Sequence, residues 1–372
     1  MQLVNSTRMP AAFTMGLEPS GRELLVVAVK GTFHIPKNGD PVRLAEEQAP
    51  LVMADTFTGE PGFSAPVYEV DFAPRKHRCD VLLNGSAHAP GGRPATRVEV
   101  GVRVNGAVKR FAVIGDRVWQ AGKTGIGSSS PIPFTVMPIS YDRAFGGVDD
   151  KHEDPAKHSA FMKNPVGRGY HKHLRSDWVD GSPLPNTEEL GRGISLPDSE
   201  APMPMSFGPV GRGWDPRSKF AGTYDDAWLK DHFPFLPPDF DEQYYQAAPA
   251  DQQIPHPQGG EEIVLVNLSP EGQVAFSLPV FDAPIYFFPK KGERADGKLV
   301  LDTIVLEPDL GRFMLTWRAT RPLKKNLYEM EQTLIGRRTG AWWAERERIE
   351  FPILLTPVRV TTPDEDAASE GG

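Results

Sequence analysis

The sequence of 372 residues contains a single cysteine, Cys79, which excludes an intramolecular disulfide and a zinc site built from several cysteines. It lacks any run close to about 18 apolar residues, so no membrane-spanning helix is predicted. Its start lacks the basic stretch and apolar stretch that mark a secretory signal peptide. We therefore expect a cytoplasmic protein without a membrane partner.

An excess of positive charge is also absent, because the formal net charge is −8 at pH 7. A general nucleic-acid-binding surface is therefore not expected. Glycine and proline, by contrast, are abundant: 36 and 37 residues make about a fifth of the chain, against roughly 12% in average usage. This composition favours turns and short strands over long helices. Charged residues at 24% and apolar residues at 39% indicate a globular protein.

Residues 1–130 are predicted to form an N-terminal β-rich part. Runs rich in β-branched and aromatic residues, bounded by turn residues, are typical of strands. The candidates are residues 24–35, 68–74, 79–89, 97–104 and 107–114.

The last two of these candidates form the clearest hairpin. Residues 97–104 alternate valine with other residues, and Asn105-Gly106 is a strong hairpin turn signal. A two-residue turn would place Val102 opposite Lys109, so the sequence leaves open a bulge or a longer loop.

Residues 131–258 are predicted to form an irregular, loop-rich central block. Glycine, proline and asparagine recur there without lasting periodicity, but large aromatic residues are frequent, which distinguishes the block from a disordered segment. We expect ordered loops packed on a scaffold, and long loops of this kind are usually functional. Two short helices are predicted at residues 225–232 and 239–247, with Asp225 and Asp239 as N-caps.

Residues 259–361 are predicted to form a C-terminal β-rich part with one helix. A second hairpin is expected from residues 261–279, followed by three further strands. Residues 327–336 have apolar positions at helical spacing, with Asn326 as a possible cap. The acidic residues 362–372 should be a mobile tail. The predicted fold is mainly β: β-sandwich-like antiparallel sheets with a long loop block and a few short helices, residues 1–361 forming one assembly.

Two clusters of the central block could carry chemistry, and each also has a simpler interpretation. Four histidines could bind a metal, but loop histidines are more often solvated, so no metal and no cofactor is predicted. They are His152, His158, His171 and His173. Five carboxylates could form the acid pair of a glycosidase. They are Asp225, Asp226, Asp239, Asp241 and Glu242. Capping and turn roles explain Asp225 and Asp239 with less invention.

Several motifs of the central block resemble, in order, the signature of one bacterial family. They are RAFGG (143–147), NPVGRGY (164–170), LPNTE (184–188), SFGPV (206–210), GTYDDAW (222–228) and PPDFDEQYYQAAPADQ (237–252). The family is that of the type VI secretion adaptors, a domain of unknown function whose members link an effector to the VgrG spike. The resemblance spans about Leu3 to Arg318. It implies a non-catalytic adaptor or chaperone that loads a secreted toxin onto a VgrG or PAAR-type spike protein.

The alternative function is a carbohydrate-active or other hydrolytic enzyme that uses the carboxylates of the block. For the adaptor, arginine and tryptophan are the first residues to test as partner contacts, although each could instead make internal contacts. The partner-binding candidates are Arg143, Arg168, Arg192, Arg212, Trp214, Arg217 and Trp228. The residues expected to build the block itself are Phe145, Gly146, Gly147, Asn164, Gly167, Gly169, Asn186, Gly222, Tyr224, Asp225 and Asp239.

Overall fold

A computed structural model describes residues 1–37, 39–123, 125–193 and 201–350. Within these ranges the chain is mainly β, with sheets that are mostly antiparallel, as the sequence predicted. The acidic residues 362–372, for which a mobile tail was predicted, lie outside the described residues.

The largest sheet has seven strands, which come from both the N-terminal and the C-terminal part of the chain. In spatial order they are β19 (Gln253–Ile254), β7 (Cys79–Leu83), β24 (Val300–Glu307), β25 (Arg312–Pro322), β3 (Glu23–His34) and β2 (Ala11–Leu17), with β4 (Arg43–Leu44) also on β3. Strands β7 and β24 are parallel, and the other neighbours are antiparallel. Strand β2 is an edge strand.

A second sheet has five strands, again from both parts of the chain. In spatial order they are β18 (Thr187–Glu188), β10 (Ala107–Ile114), β9 (Arg97–Val104), β20 (Glu262–Val266) and β21 (Gln273–Ser277). The first and second predicted hairpins are β9–β10 and β20–β21, and they lie side by side in this sheet.

The register of the first hairpin is regular, so the bulge or longer loop that the sequence left open is not formed. Val102 does lie opposite Lys109, which is buried. The Lys109 ammonium donates to Gln252 Oε1 at 2.7 Å and to Asp251 Oδ1 at 3.2 Å. Burial lowers the Lys109 pKa, and Asp251 opposes this effect. The central block therefore supplies the polar partners that make the regular register possible.

The two large sheets pack face to face, and one apolar core fills the space between them. Phe276 of the five-stranded sheet lies against Phe313 of the seven-stranded sheet, with ring centroids 5.0 Å apart. The alternating valines of β9 point into this core, as predicted, and Val100 is 1% exposed. The result is the expected sandwich.

A smaller sheet and five two-stranded ribbons complete the β structure. The sheet has four strands, in the order β1 (Gln2–Asn5), β26 (Met330–Ile335), β22 (Ile285–Pro289) and β23 (Ala295–Gly297). The ribbons are β5 (Thr56–Phe57) with β6 (Pro66–Tyr68), β8 (Gly85–His88) with β13 (Val136–Ile139), β11 (Trp119–Gly122) with β12 (Gly125–Ser128), β14 (Phe145–Gly146) with β17 (Arg168–Gly169) and β15 (Val148–Asp149) with β16 (Ser159–Ala160).

The helix predicted at residues 327–336 is wrong. Asn326 does accept a bond from the Tyr328 N–H, but only a single 3₁₀ turn, Leu327–Glu329, follows. The chain then continues as β26, which pairs with β1 on one side and β22 on the other. Tertiary pairing on both sides outweighs the helical spacing of the apolar residues, because Leu334 becomes fully buried in the sheet.

The α-helices are short, namely α1 (Ser176–Val179), α2 (Asp226–Asp231) and α3 (Gly340–Glu350). Helix α2 confirms the prediction for residues 225–232, and Asp225 is its N-cap. The prediction that Asp239 caps the next helix is wrong. That helix is a 3₁₀ turn, Glu242–Tyr245, capped by Asp241, because Asp239 is bonded to Thr223 instead. No helix among the described residues is long and apolar enough to span a membrane.

The second face of the seven-stranded sheet is buried, yet it carries charge. Four strands contribute Lys30, Asp80, Asp302 and Arg318, and the covering loops contribute Asp71 and Lys76; none of the six is more than 6% exposed. Lys30 pairs with Asp71 at 2.9 Å, Lys76 with Asp80 at 2.6 Å, and Arg318 with Asp302. We call these six residues the buried charge network. Three positive and three negative groups balance one another, so each needs its partner.

The strand predicted at residues 68–74 is wrong beyond Tyr68, and Asp71 lies in the loop that replaces it. Its carboxylate accepts bonds from the Lys30 ammonium, the Val52 N–H at 2.7 Å and the Thr316 hydroxyl at 3.2 Å. The Asp71 N–H also donates to the Val52 carbonyl at 2.9 Å, so the backbone here bonds to a loop and not to a neighbouring strand. The segment therefore leaves β6 and crosses the charged face as a loop.

We predict that Asp71→Ala destabilises the protein by about 3–5 kcal/mol, because it leaves the Lys30 ammonium buried without a carboxylate. Urea unfolding followed by circular dichroism measures this change. The matched control is Asp282→Ala, which removes the partner of Arg337 from an ion pair that is largely exposed on both sides. The control should unfold like the wild type, and equal effects of the two changes would contradict the prediction.

Candidate partner-binding surface

The side chain of Asn164 joins two motifs of the central block. Asn164 is fully buried, and its amide donates to the carbonyls of Tyr141 at 2.8 Å and Phe145 at 3.0 Å. The main-chain carbonyl of Asn164 accepts from the Gly147 N–H at 2.9 Å. We call residues 141–147 and 164–170, which these bonds connect, the Asn164 junction. Irregular backbone is ordered here because an amide side chain satisfies its carbonyls.

Glycine is required at two adjacent positions of the Asn164 junction. Gly146 has φ +148° and Gly147 has φ +110°, a region that favours glycine. A Cβ at Gly146 would lie 2.1 Å from the Asn164 carbonyl oxygen, and one at Gly147 would lie 2.7 Å from that of Gly167. A side chain at either position would therefore require the surrounding backbone to move.

Asn186 connects the Asn164 junction to the five-stranded sheet. Its side-chain amide donates to the Ile114 carbonyl of β10 at 3.0 Å and to Asp116 at 2.9 Å. Its backbone N–H donates to the Arg143 carbonyl at 2.7 Å. The LPNTE motif is thus a bridge between a sheet edge and the central block.

Two of the candidate arginines lie on the Asn164 junction, where both are partly exposed. The Arg143 guanidinium donates to Asn186 Oδ1 at 3.2 Å and lies 3.6 Å from Asp116. The Arg168 Nε donates to the Asp142 carbonyl at 3.0 Å. Burial lowers the pKa of Arg168, and the nearby charge of Arg143 adds to this effect. Both side chains make internal contacts and also reach the surface.

A second pair of candidate arginines lines a groove of about 340 Å³ beside the Asn164 junction. Arg217 is 4% exposed, and it donates to the carbonyls of Tyr244 and Val210, both at 2.8 Å. It also forms an ion pair with Glu69, and Arg212 forms a second ion pair with the same carboxylate. Arg217 therefore makes internal contacts, whereas Arg212 forms part of the groove wall.

The remaining candidates lie apart from one another. Trp214 is 7% exposed and packs edge-on against Tyr141, with ring centroids 5.4 Å apart, so it fills the core between the groove and the Asn164 junction. Arg192 pairs with Glu189, three residues earlier in the chain. Trp228 is half-buried and lies at the centre of an exposed apolar segment.

This segment, residues 223–236, we call the aromatic projection. It contains helix α2 and the chain that returns from it. Four of its large side chains are about half exposed or more: Tyr224 (54%), Leu229 (59%), Phe233 (62%) and Phe235 (47%). The large apolar residues of the block thus include a set that faces solvent.

Trp228 holds the aromatic projection in one conformation. Its indole N–H donates to the Phe235 carbonyl at 2.9 Å, and its ring packs edge-on against Tyr224 and Phe233. Asp225 accepts from the Trp228 N–H at 2.8 Å. Gly222, with φ +81°, immediately precedes the aromatic projection, and Asp239 bonds to Thr223, its first residue. The exposed rings are therefore presented by a fixed backbone.

The central carboxylates that the enzyme alternative requires have separate local partners. Asp225 and Asp241 cap short helices, and Asp239 bonds to Thr223. Glu242 lies 3.0 Å from the His77 ring nitrogen. Asp226 lies in the first turn of α2. Asp225 thus has the capping role predicted for it, whereas Asp239 does not.

Two of the four histidines, His152 and His158, are bonded to each other. His158 Nε2 lies 2.8 Å from the His152 carbonyl oxygen, and burial lowers the pKa of His171. Within the part of the chain that the structure describes, no three histidine, cysteine or acidic side chains are placed to hold a metal ion. Cys79 is fully buried in β7, and burial raises its pKa. Its environment is that of a structural thiol, as predicted.

Comparison with known families gives one match. The family described as "Uncharacterized protein conserved in bacteria (DUF2169)" matches residues 20–318. The chain belongs to this family. The match includes the Asn164 junction, the groove and the aromatic projection. No curated protein and no solved structure matches the chain.

The sequence of this DUF2169 member led to Trp228 as a candidate partner contact, but it did not single out Leu229, Phe233 and Phe235, which are exposed. One signal was available, because these residues lie within a short stretch interrupted by aspartates and prolines. Such a stretch is too short and polar to bury every apolar side chain it carries.

We predict that Gly146→Val lowers the thermal melting temperature of the whole protein by several degrees or prevents folding, because the new side chain meets the Asn164 carbonyl. Differential scanning calorimetry measures the effect. Gly213→Ala is the matched control, since a Cβ at Gly213 has no heavy atom within 4 Å. Wild-type melting of Gly146→Val would show that the junction tolerates a side chain and that this account of it is wrong.

Proposed function

We propose that this protein is a non-catalytic adaptor that binds a type VI secretion effector in the cytoplasm and loads it onto the VgrG or PAAR-type spike. The observation that carries the proposal is the aromatic projection. The link to type VI secretion comes from the resemblance of the motifs between residues 143 and 252. One of these motifs, GTYDDAW (222–228), overlaps the aromatic projection.

The physical argument begins with exposure. Tyr224, Leu229, Phe233 and Phe235 keep large apolar surface in water within one segment of 14 residues. Contiguous apolar surface on a globular protein usually marks an interaction site. Large aromatic side chains also contribute most strongly to binding free energy at protein interfaces.

Rigidity supports the same conclusion. The bond from Trp228 to the Phe235 carbonyl and the Asp225 cap fix the aromatic projection before a partner arrives. A surface that is already ordered loses little conformational entropy on binding. An adaptor must also release its cargo, and dissociation rates can be adjusted through a few such contacts.

The protein test uses the pair Tyr224→Ala and Phe233→Ala in one variant. We expect binding of the effector encoded beside this gene to weaken at least about tenfold, since two aromatic contacts are lost. The melting temperature should stay unchanged, because both side chains are more than half exposed. Tyr328→Ala is the matched control, because Tyr328 is 82% exposed but far along the chain from the aromatic projection.

The cellular test is secretion of that effector from a strain that lacks this gene. The proposal predicts that secretion stops and that the wild-type gene restores it, whereas the Tyr224→Ala, Phe233→Ala variant does not. Normal secretion from the deletion strain would contradict the adaptor function. Hydrolysis of a glycan by the purified protein alone would favour the enzyme alternative.

A further inference from the structure

The outer edge of strand β2 is unpaired in the ranges that the structure describes. β2 is the last strand of the seven-stranded sheet, and its whole length, Ala11–Leu17, pairs with β3 on one side only. Among the residues that the structure describes, the backbone of Ala11–Leu17 forms no other hydrogen bond. A row of main-chain donors and acceptors is therefore left unpaired within the described part of the chain.

The hydrogen bonds at the two ends of the hairpin show which residues face outward. The Lys30 N–H donates to the Pro10 carbonyl at 3.0 Å, and the Glu18 N–H donates to the Arg22 carbonyl at 2.9 Å. Hydrogen-bonded and non-hydrogen-bonded pairs alternate in an antiparallel ladder, so the even-numbered residues of β2 bond to β3. The outward amides and carbonyls are those of Ala11, Phe13, Met15 and Leu17.

This edge lacks the features that normally prevent strands from pairing. The sequence AAFTMGL contains no charged residue and no proline, and its register with β3 has no bulge. Edge strands of soluble proteins usually carry lysine, proline or a bulge, because an unprotected edge accepts another strand. An uncharged edge of seven residues is suited to binding an extended polypeptide.

The edge is also continuous with the aromatic projection. The turn that connects β2 to β3 contains Gly21, with φ +81°. A Cβ at Gly21 would lie 2.8 Å from Cδ1 of Phe235, so the ring lies directly on this turn. A polypeptide that lies along β2 would therefore reach the aromatic projection at the end of the strand.

We propose that the outer edge of β2 binds an extended segment of the effector, which adds one strand to the seven-stranded sheet. This inference rests on the proposed adaptor function and names its mode of recognition. The segment needs about seven residues, because its backbone must match the length of β2. It also needs a free N–H at every second position, so proline is excluded at the positions that face β2.

The C-terminal residues of this chain fit the edge less well than a separate polypeptide does. The apolar stretch FPILLTPVRV, residues 351–360, has prolines at positions 352 and 357. These positions are five residues apart and so have opposite parity. In any register that covers both, one proline would face β2 without an N–H to donate.

Hydrogen exchange on the full-length protein tests the edge directly. In the free protein, the amides of Phe13 and Met15 should exchange rapidly. With the effector bound, their exchange should slow at least about tenfold, because each gains a hydrogen bond to the added strand. Slow exchange in the free protein would overturn the proposal, because it would show that the edge is already covered. A mass that doubles with concentration would identify a second copy as the cover. Faster exchange after deletion of residues 351–372 would identify those residues as the cover.

Met15→Pro is the matching variant, because it removes an outward N–H and leaves the ladder to β3 intact. Effector affinity should fall at least tenfold with little change in melting temperature, whereas Met15→Leu should bind like the wild type. Met15→Lys tests the edge again if the proline variant fails to fold, and it should weaken binding as well. If these variants bind the effector with wild-type affinity, strand addition at β2 is wrong, but the adaptor function is not contradicted.

If the wild-type protein does not bind the effector at all, the adaptor proposal fails. A synthetic peptide then tests separately whether the outer edge of β2 accepts an added strand. The probe is an acetylated, amidated seven-residue peptide of alternating threonine and valine. Its control carries N-methyl groups on alternate amides, which remove the donors on one edge. Protection of Phe13 and Met15 by the probe and not by its control would support strand addition. No protection by either would overturn it.

Discussion

The buried charge network on the second face of the seven-stranded sheet is the constraint on which the rest of the structure depends. A sheet face that carries Lys30, Asp80, Asp302 and Arg318 cannot be covered by apolar loops, because each charge needs a partner. Asp71 and Lys76 supply two of these partners. Loops that miss this register would leave buried charges unpaired, so the network selects one arrangement of the chain.

The same contacts connect the sheet to the central block. The Asp80 carboxylate accepts from the Ala247 N–H at 2.8 Å and from the Gln246 side chain at 2.7 Å. Two residues earlier, the Tyr244 carbonyl accepts from Arg217, which joins the groove to this part of the chain. Irregular loops are thereby fixed by polar bonds rather than by periodic secondary structure. These buried contacts hold the chain on both sides of the aromatic projection and so determine where it lies.

Local patterns predicted the scaffold well, and long-range partners explain what they missed. The valines of β9 and the turn at Asn105-Gly106 gave the hairpin, since alternation and turn chemistry are local properties. The pairing of Lys109 with Gln252 was hidden, because the two residues are 143 positions apart. Helical spacing at residues 327–336 failed for the same reason: β1, from the opposite end of the chain, pairs with that segment. Motifs identified the Asn164 junction, but they could not distinguish buried Arg217 from exposed Phe233.

The central claim is that the loop block belongs to the same cooperative fold as the sandwich and so presents its surface rigidly. Native-state hydrogen exchange with increasing urea tests it most directly. We predict that the amides of Gly147, Arg168 and Tyr170, all hydrogen-bonded in the Asn164 junction, open with the same free energy as Val27 and Leu315 in the seven-stranded sheet. Exchange of the junction amides through a local opening, with a free energy far below that of the sheet, would contradict the account.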